Sequence, residues 1–152
     1  MPITFTKVSL PFGWLGNMSP HPVVVDGHRW HTAEHAFQAH RFPSDHMIWD
    51  VIKNTKSPMA AKMLVKNVAQ DMQIIPGSDE DFHLMEYVVH QKAIQNDLIK
   101  PLLATGDEVL IEDVTRRPHG RNMIWGMALI DGQWVGENRL GNIWMALRSS
   151  FS

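Results

Sequence analysis

Residues 78–96, "SDEDFHLMEYVVHQKAIQN", are the longest helical stretch in the chain, and they follow directly on the breaker pair Pro76-Gly77. Ser78 is placed to cap the helix. Asp79, Glu80 and Asp81 fill its first turn, where carboxylates complement the positive end of the helix dipole. The helical region continues to Leu102 and Leu103 and stops before Gly106. A helix this long draws its stability from what packs on it, so the chain must fold around it with further helices.

The remaining punctuation supplies them. "ITFTKVSL" reads as a first strand ended by Pro11 and Gly13, and the loop "PFGWLGNMSPHP" follows with three prolines and two glycines. "VVVDGHRW" reads as a hairpin, Asp26-Gly27 providing its positive-φ turn. Thr32 is then the expected cap of the helix "AEHAFQAHRF", Ser44 that of "DHMIWDVIKN", and Ser57-Pro58 opens "MAAKMLVKNVAQ". "EVLIEDV" reads as a later strand, "RRPHGRN" as a polar loop leading to "MIWGMALI", and "DGQWVGE" as a second glycine-rich turn region. Asn138 is the expected cap of a closing helix, "NRLGNIWMALRSSF". Five helices around a few short strands define an α+β fold, mostly helical, as a single domain over 1–152.

Composition narrows the function. Fourteen basic against sixteen acidic residues leave a net charge of −2, so no broad basic stripe exists and a nucleic-acid ligand would have to be gripped locally. Without cysteine there is no disulfide, thiolate zinc site or cysteine nucleophile. No apolar run is long enough for a bilayer, and "MPITFTKVSLPFGW" lacks the regions of a signal peptide. The expected location is the cytoplasm.

Within "WHTAEHAFQAHRF", His31, Glu34 and His35 have the H-x-x-E-H spacing of an inverted zinc-protease motif. With Thr32 as the cap, however, His31 lies outside the helix and its imidazole does not align with that of His35. No third ligand announces itself among the scattered later histidines. Glu34 then occupies the first helical turn. There it either complements the helix dipole or stabilises cationic charge developing on a sugar.

The same segment, "VDGHRWHTAEHAFQAHRF", resembles the W-x-[TS]-x-E-H-x-x-Q-A motif of the NADAR (YbiA-like) family. The resemblance continues in order through "GNMSPHPVVVDG", "SPMAAKM", "MEYVVHQKAIQN", "PLLATGDEVLIEDV", "MIWG" and "GENRLGNIWMALR", covering roughly residues 15–148. Met18 stands where an aromatic is usual, and Ala93-Ile94 replaces the phenylalanine expected after the lysine; these departures bear on substrate preference more than on reaction type.

The resemblance implies an N-glycosidase that cleaves a ribose C1′–N bond with no metal and no cofactor. Its partners would be guanine-linked ADP-ribose on DNA or nucleotide, or the phosphoribosyl-pyrimidine intermediates of riboflavin synthesis. A non-catalytic module binding NAD or ADP-ribose is the alternative, and the zinc hydrolase using His31, Glu34 and His35 the third. Glu34 is the first catalytic candidate. Lys92, on an apolar helix where desolvation would lower its pKa, is the second, as an amine able to form a Schiff base with ring-opened ribose. Lys62 is the rival amine and a substrate contact. Trp125 is a stacking platform for the leaving base, and Gly126 would let backbone approach the ligand. Asn17 and Asn138 are expected to hydrogen-bond ribose or phosphate, Asn138 while capping its helix, and Arg148 to face a phosphate or a carboxylate. Gly141, costly within a helix, implies close packing or ligand approach.

Overall fold

The structure, a computed structural model, describes all of residues 1–152. In chain order its elements are β1 (Ile3–Phe5), β2 (Val23–Val25), β3 (His28–Trp30), α1 (Ala33–His40), α2 (Ile48–Lys53), α3 (Pro58–Leu64), α4 (Asp79–Gln95), α5 (Ile99–Ala104), β4 (Leu110–Glu112), α6 (Asn122–Trp125), β5 (Ala128–Ile130), β6 (Gln133–Val135) and α7 (Arg139–Ser150). Seven α-helices with six three-residue strands, paired two by two, make the fold α+β and mostly helical. No helix is long and apolar enough to cross a membrane. The chain forms two compact units, residues 17–96 and residues 1–16 with 97–152.

In residues 17–96, β2 and β3 pair antiparallel with Val23 opposite Trp30 and Val25 opposite His28. Asp26 (φ 49°) and Gly27 (φ 82°) make the turn, the left-handed pair that matches strand twist. Thr32 caps α1, its hydroxyl accepting from the His35 amide at 3.2 Å. Every residue from Ala33 to Ala39 is buried. Alanines at 33, 36 and 39 let α1 approach closely, and it packs against α3 and α4. The surrounding core includes Val23, Trp30, Phe42, Trp49, Ile52 and Val88.

Ser44 does not cap α2. The helix starts at Ile48, whose amide donates to His46 Nδ1 at 3.0 Å; an imidazole supplies the acceptor expected from the hydroxyl. Ser57 and Pro58 open α3 as read, Ser57 Oγ accepting from the Ala60 amide at 3.1 Å. α3 ends at Leu64, and a 3₁₀ segment, Val65–Asp71, replaces the rest of the expected helix. Ser78 caps α4 through the Asp81 amide. Asp81 does more than complement the dipole. It is fully buried in a two-pronged pair with Arg41, Nε to Oδ1 and Nη2 to Oδ2, both at 2.7 Å, tying the end of α1 to the start of α4.

In residues 1–16 and 97–152, β1 and β4 pair in parallel, Ile3 opposite Leu110. β1 stops at Phe5, short of the expected strand to Leu10, because the chain turns at Lys7, whose carbonyl accepts from the Leu10 amide. The helical region after Ser78 divides here too: α4 ends at Gln95, Asp97 takes φ 55°, and α5 is separate. The stretch "ALIDGQWV" is a hairpin, β5 with β6, turning at Asp131-Gly132 as the first hairpin does at Asp26-Gly27. α7 lies against β4. A side chain at Gly141 would land on the Leu110 carbonyl oxygen and the Asn138 amide, so this glycine serves close packing. Trp144 is buried, its indole N–H donating to Leu15 O at 2.8 Å and its ring meeting Trp14 edge-on.

Candidate active site

Glu34 sits in the first turn of α1 and is 8% exposed. Its backbone N–H, one of the four that a helix start leaves without an intrahelical partner, donates to Asn17 O at 3.0 Å. Its Oε2 accepts from Gln38 Nε2 at 2.7 Å, one helical turn on. Gln38 Oε1 in turn accepts a long 3.4 Å contact from Arg41 Nη1, and Arg41 is held by Asp81. A line of buried polar groups therefore fixes the rotamer of the carboxylate.

His35 is fully buried, and both of its ring nitrogens are engaged within the protein. Nε2 lies 2.6 Å from Thr55 O, which can only accept, and Nδ1 lies 2.8 Å from Thr32 Oγ1. Nε2 must carry the proton, so Nδ1 accepts from the threonine hydroxyl. Burial lowers the pKa of the ring and keeps it in this neutral form. No lone pair is left for a metal. His31 precedes the helix and is exposed, and no group of three His, Cys, Asp or Glu side chains is placed to hold an ion. The zinc arrangement of His31, Glu34 and His35 is thus not formed.

Lys92, in the last turn of α4, has 0% exposure. Desolvation pushes its pKa from an ordinary 10.5 down to about 7. Val88, Val89 and Ala93 around it are buried as well. His21 is the nearby residue that sequence reasoning missed. Its ring pairs with Ser19 Oγ at 2.8 Å, and burial, followed by the charge on Lys92, lowers its pKa. The two lie 71 positions apart, and no local signal links them. Asn17, 7% exposed, donates through Nδ2 to Met85 Sδ at 3.1 Å. Its buried Oδ1 has no partner. Met85 lies two helical turns before Lys92 on the same side of α4. Asn17 therefore touches both the helix that carries Glu34 and the helix that carries Lys92. Lys62 lies half-buried in the last turn of α3.

The other candidates belong to residues 97–152. Trp125 ends α6 and is half-buried. Gly126 is explained by packing: a side chain there would meet Glu112 O and the Val114 methyl. Asn138 stands at the N-cap position of α7, its carbonyl accepting from the Asn142 amide at 2.9 Å. Its backbone is left-handed (φ 54°) and its side chain makes no cap bond. Instead Nδ2 donates to Leu110 O at 2.9 Å and Oδ1 accepts from the Glu112 amide at 3.1 Å, clamping β4. The Asn138 amide also donates to Gly126 O at 3.2 Å, which brings those two candidates together. Arg148 is buried near the other end of α7, where Nη1 donates to Thr105 Oγ1 at 2.9 Å. Its observed partner is a hydroxyl in place of the expected phosphate or carboxylate.

The chain is similar to known proteins along nearly its whole length. A family model described as the NADAR domain matches residues 4–152. N-glycosidase YbiA of Shigella flexneri serotype 5b is 30% identical over 151 residues, covering 99% of this chain and 88% of that protein. Riboflavin biosynthesis protein VVA0006 of Vibrio vulnificus is 30% identical over 148 residues, covering 97% of this chain and 38% of that longer protein. The NMR structure of Escherichia coli YbiA superposes with a TM-score of 0.78 at 29% identity, covering 98% of this chain and 83% of that one. The chain therefore belongs to the NADAR family, whose curated members include enzymes named as N-glycosidases, hydrolases of an N-glycosyl bond.

Proposed function

We propose that this protein is a metal-independent N-glycosidase that hydrolyses a ribose C1′–N bond, with Glu34 and Lys92 as its catalytic groups. The observation that carries the reading is a lysine with no solvent exposure whose pKa falls to about 7. An ammonium buried without function is costly, whereas an amine neutral at physiological pH is a competent nucleophile.

In the reaction that fits, neutral Lys92 Nζ attacks C1′ and the C1′–N bond breaks. The base leaves with the bonding pair and takes a proton that the attacking amine gives up. The nitrogen lone pair then opens the sugar, O4′ takes a proton, and C1′ is held as a Schiff base. Water adds to C1′, the C–Nζ bond breaks, and free sugar and amine are regenerated. Glu34 faces the cationic charge that develops at C1′ and carries protons to and from the attacking group. Asn17 Oδ1, buried and unpartnered, is suited to accept from a ribose hydroxyl.

Two substrate groups fit: ADP-ribose linked to guanine in DNA or nucleotide, and the phosphoribosyl-pyrimidine intermediates of riboflavin synthesis. The riboflavin names among relatives support the second. The test is incubation with each substrate and detection of free base. Release from either, unaffected by prolonged chelation and lost in Glu34→Gln, supports the reading. Tight binding of ADP-ribose with no base released from either substrate overturns it in favour of a binding module.

A further inference from the structure

The loop at residues 17–22 has two faces. Asn17 and Ser19 are buried, whereas Met18, Pro20 and Pro22 line an open cleft of about 430 Å³. That volume lies within the range of small-ligand sites, roughly 300–1,000 Å³. Arg29, His31 and Lys56 complete much of its wall, and no acidic side chain lines it.

Arg29 and Lys56 bring two cationic side chains, and His31 an imidazole, to one cleft in a chain of net charge −2. Arg29 lies on β3 beside buried Trp30, so strand alternation turns it to solvent, and both Arg29 and Lys56 are exposed. Neither is engaged by a carboxylate of this chain. Prolines at 20, 22 and 58 fix φ along the walls, so the cleft needs little ordering to receive a ligand. Its lining also includes Thr32, the cap of the helix whose first turn holds Glu34.

We propose that this cleft binds a phosphate ester of the substrate, with Arg29 and Lys56 as the charge-bearing contacts. The inference rests on the ribosyl reading for its placement next to Glu34. The phosphate could belong to a nucleotide or to a flanking nucleic-acid strand, and two probes distinguish them. ADP-ribose and an unmodified single-stranded oligonucleotide are titrated into wild-type protein and into the Arg29→Ala/Lys56→Ala variant at two salt concentrations. Both positions are exposed, and circular dichroism verifies the fold.

The expected result is a loss of affinity of about tenfold or more, with a shallower salt dependence in the variant. A loss for ADP-ribose assigns the cleft to a nucleotide phosphate, and a loss for the oligonucleotide alone assigns it to the strand. Wild-type protein that binds neither probe, or a variant that binds both as wild type does, overturns the proposal. Because binding is read without turnover, the two readings fail separately. Base release by wild type with unchanged probe binding in the variant removes only the cleft. Cleft-dependent binding with no base release removes only the glycosidase.

Discussion

The Glu34 backbone N–H donates to the carbonyl oxygen of Asn17 across 3.0 Å. This bond fixes the loop at residues 17–22 to the start of α1, and the Asn17 side chain fixes it again to Met85 on α4. A helix start always presents donors that need acceptors; here the acceptor comes from a residue that also reaches toward the helix carrying Lys92. The helices that carry the carboxylate and the amine are thereby tied to one residue, through its backbone carbonyl and its side chain.

Removing the charge of Glu34 tests the electrostatic half of the mechanism. Glu34→Gln keeps the shape, and its amide can still meet Gln38. Steady-state kinetics should show kcat reduced by about 10²–10³-fold with KM nearly unchanged. A variant with wild-type kcat contradicts the assignment.

Under the proposed mechanism Lys92 couples activity to pH, and its burial couples stability to pH. Its amine loses a proton at about pH 7 in the folded protein and at an ordinary 10.5 when unfolded. The unfolded chain therefore binds more protons between those values, and stability rises with pH across that window. The cost of the buried ammonium is fully present below about pH 7. Lys92→Met should raise Tm more at pH 6 than at pH 9 while abolishing turnover. The acid limb of the wild-type kcat profile should lie near pH 7. Thermal denaturation at the two pH values and a pH–rate profile check both.

Breaking the Arg41–Asp81 pair should damage the fold before the chemistry. Both side chains are buried, so Asp81→Ala leaves an uncompensated guanidinium, at a cost of about 3–5 kcal/mol. It also removes the acceptor for the Gly77 amide. Urea denaturation should show this loss. Stability within about 0.5 kcal/mol of wild type would mean that the pair does not clamp α1 to α4.

Gly141→Ala sets helix propensity against packing. Alanine gains about 1 kcal/mol in a helix, but its Cβ would land on the Leu110 carbonyl oxygen and the Asn138 amide. A net loss of about 1–3 kcal/mol is expected, read as a lower urea midpoint.

What the sequence makes legible follows from distance along the chain. The Asp26-Gly27 hairpin and the caps at Thr32, Ser57 and Ser78 are local devices, set by residues within a few positions of one another. The second Asp-Gly pair, at 131–132, carries the same signal and makes the same turn. Ser44 fails as a cap because His46, two residues nearer the helix, offers the acceptor. Asn138 stands at the cap position, yet its side-chain amide is taken by β4, between 26 and 28 positions away. Asp81 looks like a dipole residue until Arg41, 40 positions earlier, closes on it. In the site, the E-H motif and the apolar helix around Lys92 single out Glu34 and Lys92. The support from Asn17, Gln38 and His21 depends on contacts that only folding creates.

The point at which the sugar becomes attached during turnover tests the proposed mechanism most directly. Wild-type protein is mixed with guanine-linked ADP-ribose, and in parallel with a phosphoribosyl-pyrimidine, in the presence of a borohydride reductant, then mapped by peptide mass spectrometry. A reduced sugar adduct on Lys92, absent in Lys92→Met, is the expected result. Efficient base release with no adduct on Lys92, or with the adduct on Lys62, would contradict it.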